Sequence, residues 1–209
     1  MIRGIDISMH NWDYLTWFGF VPLLKKSQFV IMKASEGGTY KDIRLDEYYS
    51  MLHESDNGRP DPERMYGFYH YARPDKGNSP KKEAENFLRL VGHHAGYCIY
   101  ALDVEGKALM LSKDALDSWV AEWCSWIITK TGVKPLIYCS ASQTKRFPTA
   151  AKMDCGLWVA SWEKKPAKKD LKPWEFYAFW QDSTSSGWLD NDQFNGTKEQ
   201  FRKYCESVS

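Results

Sequence analysis

The chain has 209 residues, 43% of them hydrophobic, and its 28 lysines and arginines against 27 aspartates and glutamates leave a formal net charge of +1. That length fits one domain with a large buried core. A balance so close to neutral gives no electrostatic footing for nucleic acid or an anionic membrane as principal partner, and no run of about 18 apolar residues is present to span a bilayer.

The opening Met1-Ile2-Arg3-Gly4-Ile5-Asp6 has neither an apolar h-region nor a cleavage site, so either synthesis in the cytoplasm with later release or export, or a trimmed mature form, is expected. Residues 2–7 read as the first strand, with Asp6 near its end. Residues 12–26 are aromatic-rich and partly helical, with Pro22 limiting the helix. A second strand, 29–34, turns at Ser35-Glu36-Gly37-Gly38. Residues 42–56 carry Leu45, Tyr48, Tyr49 and Leu52 at helical spacing, and a loop over 57–62 ends them. After a third strand, 65–71, Ser79-Pro80 opens a helix with proline at its first position and Ala84, Phe87, Leu88 and Val91 along its apolar stripe. Residues 98–104 form a fourth strand, apolar almost throughout and closed by Gly106. Ser112 caps a helix that buries Leu116, Trp119, Val120, Trp123 and Ile127 and stops at Gly132. The fifth strand is 135–139.

Beyond it the rhythm changes. Strands at 157–161, 176–181 and 189–194 follow without full helices between them, and Thr197 with Gln200 forms a capping box for a last helix. Alternating strands and helices argue for a parallel α/β core. Eight strands in so short a chain suggest a closed barrel that has lost its later helices. The five cysteines, Cys98, Cys124, Cys139, Cys155 and Cys205, are odd in number and contain no CxxC pair, which argues against a zinc site or a dense disulfide framework.

The chemistry gathers at Asp103 and Glu105. Residues i and i+2 of a strand share a face, with Cα atoms about 6.6 Å apart. Two carboxylates that close cannot both ionise cheaply, so one pKa rises, and a raised acid beside an ionised partner suits glycosidic cleavage. Two acids ending a strand in solvent is the plainer alternative. In parallel barrels active sites collect at the C-terminal strand ends. Those ends here carry Asp6, Lys33 with Glu36, Tyr69 to Arg73, Asp103 with Glu105, Tyr138 with Ser140, Trp162, Gln181 and Asp190.

Five stretches, in order, carry a resemblance. They are Gly4-Ile5-Asp6-Ile7-Ser8, then Phe29-Val30-Ile31-Met32-Lys33-Ala34-Ser35-Glu36-Gly37, then Gly67-Phe68-Tyr69-His70-Tyr71-Ala72-Arg73, then Leu102-Asp103-Val104-Glu105, and the tail Trp180-Gln181 with residues 189–196; Trp158-Val159-Ala160 adds a weaker sixth. With them the chain resembles glycoside hydrolase family 25 lysozymes, which are N-acetylmuramidases. The resemblance implies an α/β fold, a modified TIM-like (β/α)5(β)3 barrel; residues 1–209 are expected to form one catalytic domain, and, as a departure, no separate cell-wall-binding domain is expected. It implies hydrolysis of the β-1,4 bond between N-acetylmuramic acid and N-acetylglucosamine in peptidoglycan. Glu105 would be general acid and then base, and Asp103 would assist the 2-acetamido group or the oxocarbenium-like centre. Asp6 and Asp190 match two further acidic positions. The close pair favours retention of configuration. Ser35 replaces a more usual threonine, Asn191 a more usual apolar residue, and the 57–64 segment is longer and more polar than the family pattern.

Tyr69 and Tyr138 are candidates to line the substrate site, though a buried tyrosine needs a partner in any case. Arg73 pairs either with an acid or with a substrate carboxylate. Trp162 and Trp180 are sugar platforms or core, and Glu36 with Lys33 completes the expected binding set. His70 reads as a satisfied core histidine, and Lys164, Lys165, Lys168 and Lys169 as a solvated loop. The expected partner is bacterial cell-wall peptidoglycan, met by a monomer without metal, cofactor, nucleic acid or membrane insertion. Two rival functions are a carbohydrate-binding barrel that no longer cuts and a metal-dependent phosphoryl-transfer enzyme using the same acids.

Overall fold

The structure, a computed structural model, describes residues 1–19, 23, 26–54, 65–162, 164–185 and 189–207. Pro22 and the 57–64 segment lie outside the described residues. One sheet is built from β1 (Ile2–Ile7), β2 (Phe29–Glu36), β3 (Tyr40–Lys41), β4 (Met65–Tyr71), β5 (Ile99–Asp103), β6 (Leu136–Ser140), β7 (Gly156–Ala160), β8 (Phe179–Ser185) and β9 (Leu189–Phe194). Its order is β1-β9-β8-β7-β6-β5-β4-β2-β3, and β1 also pairs with β2. That last pairing closes eight strands into a barrel and leaves β3 as an antiparallel appendage on β2. The barrel is parallel except at β9, which runs antiparallel to both β8 and β1.

Five helices, α1 (Trp12–Phe18), α2 (Leu45–Glu54), α3 (Pro80–Val91), α4 (Lys113–Thr131) and α5 (Pro148–Lys152), precede β2, β4, β5, β6 and β7 respectively. No α-helix separates β7, β8 and β9 among the described residues, and α6 (Lys198–Cys205) follows β9. Five βα units and then three strands is the (β/α)5(β)3 plan expected from the sequence. The two-residue β3 and the five-residue α5 were not expected, because elements that short show no periodicity. The segment expected at 176–181 starts later and runs further, as β8. Phe176 is 62% exposed and stays outside the sheet, and a bulge between Gln181 and Ser183 lets the strand continue against β9.

Side-chain alternation divides the barrel into two cores. Outward residues such as Val30, Phe68, Leu102 and Val159 pack against Leu52, Phe87, Val120 and Trp123 of the helices. Inward residues such as Ile2, Phe29, Ile31, Ala101, Leu136 and Phe179 fill the lumen. The filling is tight: Gly4 lies beside Phe29, and a Cβ on Gly4 would come within 2.4 Å of the Phe29 ring. Ser79 and Ser112 cap α3 and α4 with hydroxyls that accept from Lys82 N and Ala115 N, and Gly132 ends α4 in the left-handed region. All five cysteines are free and buried.

Candidate active site

Towards the C-terminal strand ends the inward face turns polar. Continuing the same alternation, β1 offers Asp6, β2 Lys33, β4 Tyr69, β5 Asp103, β6 Tyr138 and β8 Gln181, all buried. Asp103 is the last residue of β5, but the chain stays extended past it. Val104 N donates to Tyr138 O at 3.0 Å, and Glu105 holds φ −146° and ψ −171°. The shared face of Asp103 and Glu105 thus survives the end of the strand. Gly106 then turns the backbone away at φ +53°, where a Cβ would lie 2.6 Å from the Tyr71 hydroxyl.

Both carboxyls open into one groove of about 600 Å³, which Asp6, Lys33, Glu36, Tyr69, Arg73 and Asp190 also line. An adjoining recess of about 90 Å³ reaches Tyr138, Trp158 and Gln181. A separate cavity of about 430 Å³, lined by Lys134, Gly156 and Trp174, lies towards the N-terminal strand ends and holds none of the acidic set. Among the described residues, no group of three or more histidine, cysteine, aspartate or glutamate side chains could hold a metal ion.

Burial pushes Asp103 well above the ordinary carboxyl range, the charge of Glu105 adds to the shift, and Lys33 opposes it. Asp103 Oδ1 has no hydrogen-bond partner. Glu105 is exposed at the groove, yet partial loss of hydration and then the charge of Asp190 raise its pKa, with Lys33 again opposing. Burial, then Asp190, pushes Asp6 up to about 7. Burial raises Asp190 too, against a hydrogen bond from Thr184. Lys33 is the one buried lysine or arginine among the described residues. Its Nζ lies 2.9 Å from Glu36 Oε2 and 4.8 Å from the centre of the Tyr71 ring. Burial works against ionisation of Glu36, but Lys33 and Arg73 overcome it and hold its carboxyl below the usual range. Clustered carboxyls facing one buried ammonium cannot all ionise near neutral pH, so the site stores protons. It can therefore donate a proton at its exposed member and meet developing positive charge with the others.

Gln181 connects the two sides. Its Oε1 accepts from Tyr138 Oη at 2.9 Å and Trp162 Nε1 at 3.0 Å, and its Nε2 donates to Asp6 Oδ2 at 2.8 Å. Arg73 pairs with acids: Nη1 donates to Glu36 Oε1 at 2.6 Å, and Nε and Nη2 to Asp75 at 2.8 and 2.9 Å. Behind it, Ser35 Oγ, His70 and Glu83 form a buried chain with contacts of 2.7 and 2.9 Å. The order serine–histidine–carboxylate suggests a nucleophile, but all three are closed to solvent. Glu83 Oε2 also accepts from Arg73 N at 3.0 Å, so the chain ties α3 to the backbone that carries Arg73.

Of the residues expected to bind substrate, Trp162 and Trp180 line neither the groove nor its recess. Trp162 stands 56% exposed beside Gln181. Trp180 alternates outward from Gln181, packs in the outer core and donates to Ser161 O at 2.9 Å. The structure adds Ser8, His10, Asn11, Tyr71 and Lys107 to the groove, and places a further carboxyl, Asp192, fully buried beneath Asp6. Asp192 stands two residues from Asp190 on β9, the same spacing that links Asp103 to Glu105, so alternation alone was a signal for it.

Residues 5–191 match the model of Glycosyl hydrolases family 25. The N,O-diacetylmuramidase of Arthroderma benhamiae is 26% identical over 223 residues, which span 98% of this chain and 87% of that protein. The structure of a family GH25 lysozyme from Aspergillus fumigatus is similar with a TM-score of 0.74 at 28% identity, covering 98% of this chain and 99% of that one. The structure of a muramidase from Trichobolus zukalii shares the fold, with a TM-score of 0.78 at 24% identity over 100% of both chains. Because the family match runs from within β1 into β9 and so takes in every strand of the closed barrel, the chain belongs to glycosyl hydrolases family 25 and is a glycoside hydrolase of the lysozyme type.

Proposed function

We propose that the protein cleaves the β-1,4 bond between N-acetylmuramic acid and N-acetylglucosamine in bacterial peptidoglycan, with retention of configuration, as a monomer released or exported to the wall. The observation that carries this reading is the seating of Glu105, an exposed carboxyl of raised pKa, beside buried Asp103 in one groove. Protonated Glu105 gives its proton to the glycosidic oxygen as the bond breaks, and as a carboxylate it then takes one from the incoming water. Asp103 assists the 2-acetamido group or the oxocarbenium-like centre. Asp6 and Asp190 hold that pair in its protonation states and accept hydrogen bonds from sugar hydroxyls. The muramidase and lysozyme names of the relatives support the substrate.

The test is mass spectrometry of peptidoglycan digested by the protein. Muramic acid at the new reducing ends is expected; glucosamine there, or freed peptides, defeats the proposal. Proton NMR of fresh product reports the configuration, and a β anomer appearing first is the retaining outcome. Clearing of a wall suspension in EDTA separates this chemistry from the two rivals, since a binding barrel clears nothing and a metal-dependent enzyme stops.

A further inference from the structure

Asp192 has no part in the hydrolytic roles given above, yet it is fully buried within the acidic cluster. On β9 it pairs with Gly4 of β1 and with Gln181 of β8. Its Oδ1 accepts from Trp158 Nε1 at 2.7 Å, and its Oδ2 meets no N–H or hydroxyl donor. The group within hydrogen-bonding contact is instead another carboxyl, that of Asp6.

The orientation of the neighbours is fixed. An indole N–H can only donate, so Trp162 fixes Gln181 Oε1 as an acceptor and turns Nε2 towards Asp6 Oδ2. The indole of Trp158 likewise makes Asp192 Oδ1 an acceptor. Each carboxyl therefore has one oxygen tied down as an acceptor. What remains between them is a contact between two acceptors unless one carboxyl carries a proton.

We propose that Asp192 is a positioning residue for the hydrolysis: with Asp6 it forms a buried dyad that shares one proton, and this dyad sets the charge that Asp6 presents to Asp190 and Glu105. The inference rests on the function proposed above. Loss of the shared proton at higher pH adds a negative charge to the cluster, which keeps Glu105 protonated further into the alkaline range. The other groups facing the dyad are Asp103 of β5 and the phenols Tyr69 of β4 and Tyr138 of β6, and Lys33 of β2 acts on Asp103 in turn. Asp190 and Glu105 add to the upward push that burial gives Asp6.

Asp192→Asn keeps the shape and replaces the shared proton with an amide donor. Asp6 then ionises at lower pH, and the dyad can no longer gain a second negative charge. Both limbs of the pH–rate profile on peptidoglycan are expected to move to lower pH, by at least about half a unit. Infrared difference spectra of wild type against the variant near neutral pH are expected to show one protonated-carboxyl stretch fewer in the variant, the bands common to both proteins cancelling. An unshifted profile in an active variant, or a difference spectrum with no protonated-carboxyl band lost, overturns the dyad. The infrared measurement needs no substrate, so a wild-type protein that leaves peptidoglycan uncut defeats the proposed function without touching this result. Should Asp192→Asn fail to fold, Trp158→Phe removes a donor to Asp192, strengthens its hold on the proton and is expected to move the band's titration to higher pH; an unmoved or lowered titration is again fatal.

Discussion

Glu105 gains its raised proton affinity first from partial loss of hydration and then from its place beside Asp190. It stands exposed at the groove while Asp190 supplies the repulsion and Lys33 opposes it. Replacing it by glutamine keeps size and polarity but removes the proton, so wall-clearing activity is expected to fall by about 10²–10⁴-fold, with the thermal midpoint no lower than in wild type. A Glu105→Gln protein that clears walls at the wild-type rate removes the acid assignment. Lys33 offers a test of sign. It pulls down both Asp103 and Glu105, so in Lys33→Met both should hold protons to higher pH and the alkaline limb of the rate profile should move up; a downward shift would contradict the electrostatics. Asp103 and Glu105 were legible because a plainly apolar strand leads into them. Asp192 was harder to read: its spacing from Asp190 was a signal, but Leu189-Asp190-Asn191-Asp192-Gln193-Phe194 has no apolar run, and only closure between β8 and β1 buries its side chain. Trp180 was left between sugar platform and core because its chemistry suits both; its parity with Gln181 turns it outward into the core.

The elements explain why so much of the barrel could be read in advance. Apolar strands alternating with capped amphipathic helices leave few arrangements other than a parallel α/β core, and the shortening of the helix after β6 and the loss of helices after β7 showed as a loss of spacing between strands. What spacing does not carry is the direction of the last strand. That β9 runs antiparallel to both neighbours depends on a short return from β8, and it is this reversal that brings Asp190 opposite Asp6. The closure also demands close approach inside the lumen, and Gly4 is where the demand is sharpest. A methyl group there would lie 2.4 Å from the Phe29 ring, whose neighbours Phe179 and Phe201 leave it little room, at centroid distances of 5.3 and 5.7 Å. Gly4→Ala is expected to cost about 1–3 kcal/mol through overpacking. Urea denaturation reads this directly, and a midpoint unchanged from wild type would mean that the lumen yields more easily than its packing implies.

At the scale of the whole molecule the barrel is apolar through most of its lumen and acidic at one mouth, so function and stability pull against each other across pH. Asp6 shows the sign. Its ordinary pKa of 3.8 is raised to about 7 by burial and by Asp190. Below the ordinary value the carboxyl is neutral in both folded and unfolded chains, and the folded state keeps its full stability. Between the two values the unfolded chain releases the proton while the fold retains it, so stability falls as pH rises, and above the upper value nothing further is lost. A shift of roughly three units corresponds to about 4 kcal/mol, an upper figure because Asp190 and Asp192 exchange charge with the same group. Asp6→Asn removes this titration. Its stability relative to wild type is therefore expected to rise between about pH 4 and about pH 7, even as wall-clearing activity declines. Denaturation curves for the two proteins at both pH values measure the difference. Parallel changes would show that the cluster, not Asp6, titrates as the unit, whereas a widening gap would show that the acidic mouth is held against the stability of the barrel that supports it.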